Sequence, residues 1–302
     1  MTTRRRFLAI SAAAIAFPST SRAAPVYTWQ GVALGARATL RFAHPDAEAI
    51  SGRVAAEISR LEGIFSLFRP DSSLMQLNRT GKLQTPPFEL LECLSLAGSV
   101  HRASRGAFDP TIQPLWACYA EASAQGTAPT VNALKTAQKR IGWERIKFHS
   151  SRIEIEKDMS LTLNGIAQGY IADRVANMLS AEGLTNILID TGEFRALGTH
   201  PDGQAWPVRL GAGGEVPLIA RALATSAPLG TTFDENAELG HILDPRNGLP
   251  VRNIWREITI SAKSAALADA LSTTACLFET RADIDACLAA FKEVKLEALV
   301  AD

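Results

Sequence analysis

Two segments in the C-terminal third of the chain carry residue types that suit phosphate chemistry on a metal ion. Asp269 and Thr273 lie in an Ala-rich segment that predicts a helix, and their spacing places a carboxylate and a hydroxyl on one face, one turn apart. Mg²⁺ favours hard oxygen ligands of this kind and completes its shell with water or substrate phosphate. Upstream, the polar loop 241–248 interrupts a strand-like run and is expected to bring the His241 imidazole and the Asp244 carboxylate to the same place.

The N-terminal residues have the pattern of an export signal. The run Thr3-Arg4-Arg5-Arg6-Phe7-Leu8 matches a twin-arginine signal, an apolar stretch follows over 9–17, and Ser21-Arg22-Ala23 provides a small-residue cleavage site. A basic arm followed by a short core helix is the alternative interpretation. We expect a signal peptide over 1–23, a folded domain over 24–302, and delivery to the bacterial periplasm.

The charge balance argues against nucleic acid as a partner. The chain has 31 basic and 31 acidic residues, and loss of the four arginines of the signal would leave 27 basic residues against 31 acidic ones. No basic patch stands out along the sequence. Beyond the signal there is no run of about 18 apolar residues, so no transmembrane span is expected after cleavage.

Helices and strands are mixed along the chain without a regular β–α alternation, which favours the α+β class. Apolar residues at three- and four-residue spacing predict helices, and short alternating or apolar runs predict strands. The predicted helices cover 46–65, 88–104, 131–141 and 167–182, with another around Asp269. Residues 69–72 are predicted to be a turn and helix start, 74–77 a short turn, and 108–116 a loop that enters a helix. The predicted strands cover 27–42 (a strand or a hairpin), 146–148, 152–155 and 186–190, with 206–210, 220–225 and 257–261 as further strands of the sheet that contains 186–190.

The four cysteines do not indicate a metal or redox centre. Cys93, Cys118, Cys276 and Cys287 form no Cys-x-x-Cys pair, so zinc or thioredoxin-like chemistry has no support. In an oxidising compartment, one disulfide and buried free thiols both remain open.

Seven segments resemble, in the same order, those of the FAD:protein FMN transferase family, also called the ApbE family. They are Leu34-Gly35-Ala36; Phe68-Arg69-Pro70-Asp71-Ser72-Ser73-Leu74 with Asn78; Phe108-Asp109-Pro110-Thr111-Ile112-Gln113-Pro114-Leu115; Leu163-Asn164-Gly165-Ile166-Ala167-Gln168-Gly169-Tyr170 with Asp173; Ala224-Thr225-Ser226; 241–248; and 268–273. Each segment alone is weakly specific. The seven in register are highly specific and cover nearly the whole of 24–302.

The resemblance implies a fold, a reaction and a set of site residues. The fold would be a mixed sheet with flanking helices and an FAD cleft between two lobes. The reaction would be Mg²⁺-dependent cleavage of FAD, attachment of FMN through a phosphoester to a Thr or Ser of an acceptor flavoprotein, and release of AMP. The implied catalytic residues are His241 and Asp269, and the implied metal ligands are Asp269, Thr273 and the backbone carbonyl of Gly165. The implied FAD contacts are Leu34, Phe68, Ala107, Phe108, Asp109, Thr162 and Gln168.

The residue types fit that chemistry, and each also has a structural interpretation. Mg²⁺ neutralises charge on pyrophosphate oxygens, and a histidine with a pKa near working pH can accept the proton of an incoming hydroxyl. The structural interpretations are a solvated helix face for Asp269 and Thr273, loop ordering for His241, an Asx-turn or helix N-cap for Asp109, and core or wall packing for Leu34 and Phe68.

Several positions depart from the family's pattern. Thr162 stands where the family usually has Asp, Gln168 where it often has Lys, and Thr191-Gly192 where a Gly-Gly pair is common. These departures indicate a specialised branch, similar to the exported accessory proteins of nitrous-oxide reduction, whose acceptor would be a membrane-bound flavoprotein regulator. They leave two other functions open: a degenerate periplasmic protein that binds FAD without cleaving it, and an Mg²⁺-dependent FAD pyrophosphatase that releases free FMN.

Overall fold

The structure is a computed structural model that describes residues 26–302, and the predicted signal peptide over 1–23 lies outside the described residues. The strands within this range are β1 (Tyr27–Ala33), β2 (Ala36–Phe42), β3 (Lys82–Gln84), β4 (Lys147–His149), β5 (Arg152–Glu154), β6 (Ile187–Asp190), β7 (Phe194–Leu197), β8 (Trp206–Arg209), β9 (Glu215–Leu218), β10 (Ala222–Ser226), β11 (Leu243–Asp244), β12 (Leu249–Pro250), β13 (Trp255–Ala262) and β14 (Lys295–Ala301). The helices are α1 (Ala47–Phe65), α2 (Ser73–Thr80), α3 (Phe88–Ala103), α4 (Gln113–Ala124), α5 (Val131–Gln138), α6 (Ala167–Ala181), α7 (Ala265–Ala275) and α8 (Arg281–Leu288).

A seven-stranded sheet organises the described residues, with the strand order β1-β2-β6-β7-β10-β13-β14. Every neighbouring pair in this sheet is antiparallel. The predicted strands at 186–190, 220–225 and 257–261 belong to it, and 27–42 forms the β1–β2 hairpin. A separate three-stranded sheet has the order β3-β5-β4.

Helices α1, α6 and α7 cover one face of the main sheet, and α3 packs on α1 and α7 to complete the principal core. In α1 the residues that recur at three- and four-residue spacing are the buried ones, among them Ile50, Val54, Ile58 and Leu61. Such a stripe forms because one face of a surface helix must cover apolar sheet residues. Helices packed on an antiparallel sheet confirm the α+β class.

The opposite face of the main sheet is covered by the β8–β9 hairpin. Trp206, Val208 and Leu218 pack against sheet residues that include Leu188 and Leu223. The prediction that 206–210 belongs to the main sheet is therefore wrong, because β8 pairs only with β9 and the two form their own sheet. Burial against the sheet face, not pairing within it, produces the apolar alternation of this segment.

A further, smaller hydrophobic cluster lies outside the principal core. Leu115 and Tyr119 of α4, Ala137 of α5 and Leu243 of β11 form its core. The Tyr119 hydroxyl donates a hydrogen bond to the Gly248 carbonyl at 3.1 Å, which ties α4 to the β11–β12 hairpin. Residues of the principal core and of this smaller cluster both line the cleft described below.

Several elements differ from the sequence-based expectation. Residues 74–77 belong to the helix α2, not to a short turn, because Ser72 caps its start by accepting from the Met75 N–H and Gly81 ends it in the left-handed conformation. Strands β3, β7, β9 and β14 and helix α8 were not predicted. The four cysteines are unpaired, and Cys93, Cys276 and Cys287 are buried. None of the helices in the described part has the length and apolar character needed to cross a membrane.

Candidate active site

Helix α7 carries Asp269 and Thr273 on a face that is covered, not solvated. Asp269 is only 3% exposed and Thr273 is half-buried, so the interpretation of this pair as a solvated helix face is wrong for Asp269. Burial raises the pKa of the Asp269 carboxyl, and a hydrogen bond from the Gly169 N–H to Oδ2 at 3.2 Å works in the opposite direction. Helices α6 and α7 therefore meet at the predicted metal ligand.

The start of α7 is fixed by α6. The Asp173 carboxylate of α6 accepts hydrogen bonds from the Ala265 and Ala266 N–H groups, at 2.9 and 3.0 Å, and from the Ser264 hydroxyl at 2.7 Å. Ser264 is in turn the N-cap of α7. These bonds satisfy donors that a helix leaves unpaired at its N-terminus, and they set the rotation of α7 against α6.

The other two predicted metal donors lie beside each other. A Cβ atom placed on Gly165 would lie 3.2 Å from Thr273 Oγ1, so the Gly165 backbone is packed against that hydroxyl. The Ser226 hydroxyl of β10 lies 3.4 Å from Thr273 Oγ1 and 2.7 Å from Ser272 Oγ. Asp269, Thr273 and Gly165 all face one cleft.

That cleft has a volume of about 660 Å³, within the range of small-molecule sites. All seven predicted FAD contacts line it, together with the three predicted metal donors and His241; the seven are Leu34, Phe68, Ala107, Phe108, Asp109, Thr162 and Gln168. The structure thus brings together all the residues that the family resemblance implied for the site. Their individual roles stay predictions.

Leu34 and Phe68 occupy loops at the cleft wall. Leu34 adopts a positive φ of 50° in the β1–β2 turn, and its N–H donates to Glu62 Oε1 at 2.8 Å. Phe68 is 79% exposed and lines the cleft, so of core and wall packing it is wall packing that applies to this residue. The Ser66 hydroxyl holds its loop by accepting from the Phe68 and Arg69 N–H groups. An exposed aromatic ring at the wall of a cleft can cover a flat ligand.

The segment 107–109 is held from both sides. The His101 ring donates from Nδ1 to the Phe108 carbonyl at 2.8 Å, and the Phe108 N–H donates to the Ser104 hydroxyl at 3.0 Å. Asp109 Oδ1 accepts from both the N–H and the hydroxyl of Thr111, and Oδ2 accepts from the Trp143 N–H. Asp109 thus caps the short 3-10 helix Pro110–Ile112, which confirms its interpretation as a helix N-cap, and its carboxylate is engaged within the protein.

The two positions that depart most from the family's pattern are also fixed. The Thr162 N–H donates to the Pro110 carbonyl at 2.8 Å, and its hydroxyl accepts from the Asn164 N–H at 3.2 Å. The Gln168 side chain rests against Gly192, where an added Cβ atom would lie 2.9 Å from Nε2. Both side chains remain on the cleft wall.

His241 is half-buried, and its ring is oriented by the loop that precedes it. The Thr231 carbonyl accepts from both the backbone N–H and the Nδ1 of His241, each at 3.0 Å. Because a carbonyl only accepts, the proton belongs on Nδ1 and Nε2 keeps the lone pair. Burial lowers the pKa of His241, although the Thr231 and Pro228 carbonyls favour the protonated ring. A neutral imidazole of this tautomer can order the loop and accept a proton.

The expected second carboxylate, Asp244, does not reach the site. Arg246 binds both of its oxygens at 2.8 Å, and Asn247 also donates to it. This ion pair within the β11–β12 turn engages the carboxylate, and Asp244 is not among the residues that line the cleft. The prediction that Asp244 joins the metal site is therefore wrong.

Glu193, which sequence reasoning missed, lines the cleft instead. It is 7% exposed, and Oε2 accepts from the Thr225 N–H at 3.3 Å. Burial raises the pKa of its carboxyl, and the negative charge of Asp269 raises it further. The sequence feature that could have identified Glu193 is its position directly after the buried strand β6, in the turn where Thr191-Gly192 replaces the family's Gly-Gly pair.

Comparison with known proteins bears on the family and the fold of the chain. Residues 34–299 match the sequence profile of the ApbE family. The chain is 27% identical to the FAD:protein FMN transferase of Haemophilus influenzae (78% of this chain, 72% of the relative) and 24% identical to that of Klebsiella pneumoniae strain 342 (75% and 70%). The apo crystal structure of the Pseudomonas stutzeri flavinyl transferase ApbE superposes with a TM-score of 0.78 at 25% identity, over 92% of this chain and 94% of that chain. The predicted fold is thereby confirmed.

Proposed function

The chain belongs to the ApbE family, and we propose that it is an FAD:protein FMN transferase that works with Mg²⁺. It would cleave the pyrophosphate of FAD, attach FMN through a phosphoester to a Thr or Ser of an acceptor flavoprotein, and release AMP. The observation that carries this proposal is the single cleft, in which the three predicted metal donors, the seven predicted FAD contacts and His241 all meet.

The donor set fits Mg²⁺. Asp269 is a buried carboxylate that forms no ion pair with a basic side chain of the described residues, and a buried charge requires compensation. A carboxylate, a hydroxyl and a backbone carbonyl are hard oxygen donors, and their small number leaves room for water and substrate phosphate. When bound, the ion would supply charge neutralisation on the pyrophosphate oxygens.

The protein's own groups would position the substrate. Gly165 and Gln168, at the start of the 15-residue helix α6, line the cleft, so the positive end of this helix lies near the metal donors. Phosphate groups are stabilised at such a helix N-terminus. The apolar wall formed by Leu34, Phe68 and Phe108 would hold the flavin and exclude water from the reacting atoms.

His241 would act as the base in the transfer step. The acceptor hydroxyl oxygen forms a bond to the FMN-side phosphorus, the bond from that phosphorus to the bridging oxygen breaks, and AMP leaves with that oxygen. The hydroxyl proton passes to Nε2 of His241, which the hydrogen bond from Nδ1 to Thr231 keeps free to accept it. The rest of the rate acceleration would come from positioning and electrostatics.

The location and the acceptor follow from the sequence. The twin-arginine pattern in 1–23 supports export to the periplasm, where the acceptor would be a flavoprotein with a Thr or Ser modification site. The departures from the family's pattern support a membrane-bound regulator of nitrous-oxide reduction as that acceptor.

Product analysis separates this function from its two alternatives. The purified protein is incubated with FAD and Mg²⁺, with and without a flavoprotein that carries a Thr modification site. A transferase gives AMP together with covalent flavin fluorescence on that flavoprotein. A pyrophosphatase gives AMP and free FMN in both samples, and an FAD-binding protein gives no AMP in either; both results contradict the proposal.

A further inference from the structure

We propose that Glu193 is a second carboxylate of the metal centre, which balances the charge of the divalent ion together with Asp269. This inference rests on the proposed function, because it assigns a further residue to the same cleft. It concerns a residue for which the sequence comparison implied no role.

The turn that carries Glu193 is fixed against the metal donors. It joins β6 to β7, and Gly192, with φ of +101°, brings its backbone against the Gln168 side chain. The Thr191 hydroxyl donates to the Gln168 carbonyl at 2.9 Å, and the Thr191 N–H donates to the Glu193 carbonyl at 3.1 Å. The Glu193 side chain therefore has a set position beside the start of α6.

Strand β10 connects Glu193 to the metal helix. Thr225 donates its N–H to Glu193 Oε2, and the next residue, Ser226, contacts Thr273 Oγ1 of α7. The two carboxylates and the Thr273 hydroxyl thus line one cleft from two places, α7 and the β6–β7 turn, and both α7 and β7 pack against β10.

The surroundings of Glu193 lack a positive charge. Within 26–302 it forms no ion pair with a basic side chain, the nearby charges that act on it are Asp269 and Asp190, and Oε1 has no hydrogen-bond partner. By contrast, the carboxylates of Asp173 and Asp244 are paired with arginines at 3.2 and 2.8 Å.

Two carboxylates in a cleft without a cation suit a divalent ion. An ionised carboxylate inside a protein is stable only when it is paired or binds a metal. Mg²⁺ is typically held by one or two carboxylates and keeps several water molecules, so Glu193 can contribute its charge to the ion's surroundings without displacing Asp269, Thr273 or Gly165.

The test measures metal affinity without turnover. Mn²⁺, which electron paramagnetic resonance detects directly, is titrated into the purified protein and into its Glu193→Gln and Asp269→Asn variants, in the absence of FAD. Glu193→Gln should weaken Mn²⁺ binding by about 10- to 100-fold, the usual cost of losing a supporting group at a metal centre. Its FAD affinity without metal should stay equal or rise, because a negative charge has been removed from the cleft.

Glu257→Gln is the matched control. Glu257 is also buried and forms no ion pair within the described residues, but it does not line the cleft. Its loss should leave Mn²⁺ affinity unchanged, and Glu193→Asp, which keeps the charge, should retain more affinity than Glu193→Gln. Thermal melting of each variant establishes that it is folded.

The outcomes separate this inference from the proposed function. Normal Mn²⁺ affinity in folded Glu193→Gln, with weakened binding in Asp269→Asn, overturns the role of Glu193 and leaves the metal site intact. Unchanged binding in both variants, or absence of binding by the unaltered protein, overturns both. A loss in Glu257→Gln equal to that in Glu193→Gln also overturns the inference, because it would reflect the loss of any buried charge.

Discussion

The Gly169 N–H donates a hydrogen bond to Asp269 Oδ2 at 3.2 Å, across 100 residues of sequence. This contact requires a glycine, because an added Cβ atom at position 169 would lie 2.3 Å from the Ala265 carbonyl oxygen. The close approach of α6 to α7 thus places Gly165, at the start of α6, beside Thr273 on α7. Helix packing, and not the loop sequence alone, assembles the predicted metal donors.

Asp269→Asn should abolish most of the activity while the fold persists. The variant keeps the shape of the side chain but removes the anionic donor, so FAD cleavage should fall by about 100-fold or more. Stability should be equal or higher, since an unpaired buried charge is removed. AMP release and thermal melting measure the two effects, and normal turnover in the folded variant would contradict the metal assignment.

Gly169→Ala should damage the site through the backbone. The methyl group must push α6 away from the start of α7, which should cost about 1–3 kcal/mol of unfolding free energy and weaken Mn²⁺ binding. Gly52→Ala is the control: Gly52 lies within α1, and a Cβ atom there meets nothing within 4 Å. That variant should gain about 0.5–1 kcal/mol. Urea denaturation compares them, and equal stability of the two variants would contradict the close packing.

His241→Ala should separate catalysis from loop ordering. A lost general base should lower the transfer rate by about 10²- to 10⁴-fold with little change in the FAD dissociation constant. If the Nδ1 hydrogen bond to Thr231 only orders the loop, the variant should bind FAD poorly and melt earlier. Both constants are measured on the same variant, and a near-normal rate at saturating FAD would exclude the base role.

The pH dependence of transfer gives an independent check on His241. The base must be neutral, and burial lowers its pKa from the usual 6.5, so it is mostly neutral at pH 7. The transfer rate should therefore be independent of this group above pH 7 and should fall as the pH drops through a value below 6.5. The residual transfer rate of His241→Ala should not show this fall at low pH. A fall that persists in the variant would belong to the titration of another group.

Export should require the arginine pair. Arg4→Lys with Arg5→Lys keeps the positive charge but removes the pair that the twin-arginine pathway reads, so the double variant should remain in the cytoplasm. Arg22→Lys, outside the pair, is the charge-matched control and should be exported. Cell fractionation measures both, and periplasmic accumulation of the double variant would indicate the general secretory route.

Local pattern was sufficient to predict many elements and most of the polar residues that line the cleft. The apolar spacing in α1, the helical spacing of Asp269 and Thr273, and the seven family-like segments are properties of short stretches of chain. Each of these patterns can be recognised in the sequence without knowledge of the residues that pack against it. Apart from Asp244, the residues predicted for the site line one cleft.

Long-range packing decided what those patterns left open. Asp244 has the residue type expected at the site, but the neighbouring Arg246 binds it. Glu193 is the carboxylate that lines the cleft beside Asp269, because β7 pairs with β10 and brings the β6–β7 turn there. Likewise, the segment that begins at Trp206 alternates apolar and polar residues like a strand of the main sheet, yet it packs on the outer face of that sheet. Whether a carboxylate faces a cleft or an arginine depends on which distant strands and helices meet, and only the tertiary structure determines that.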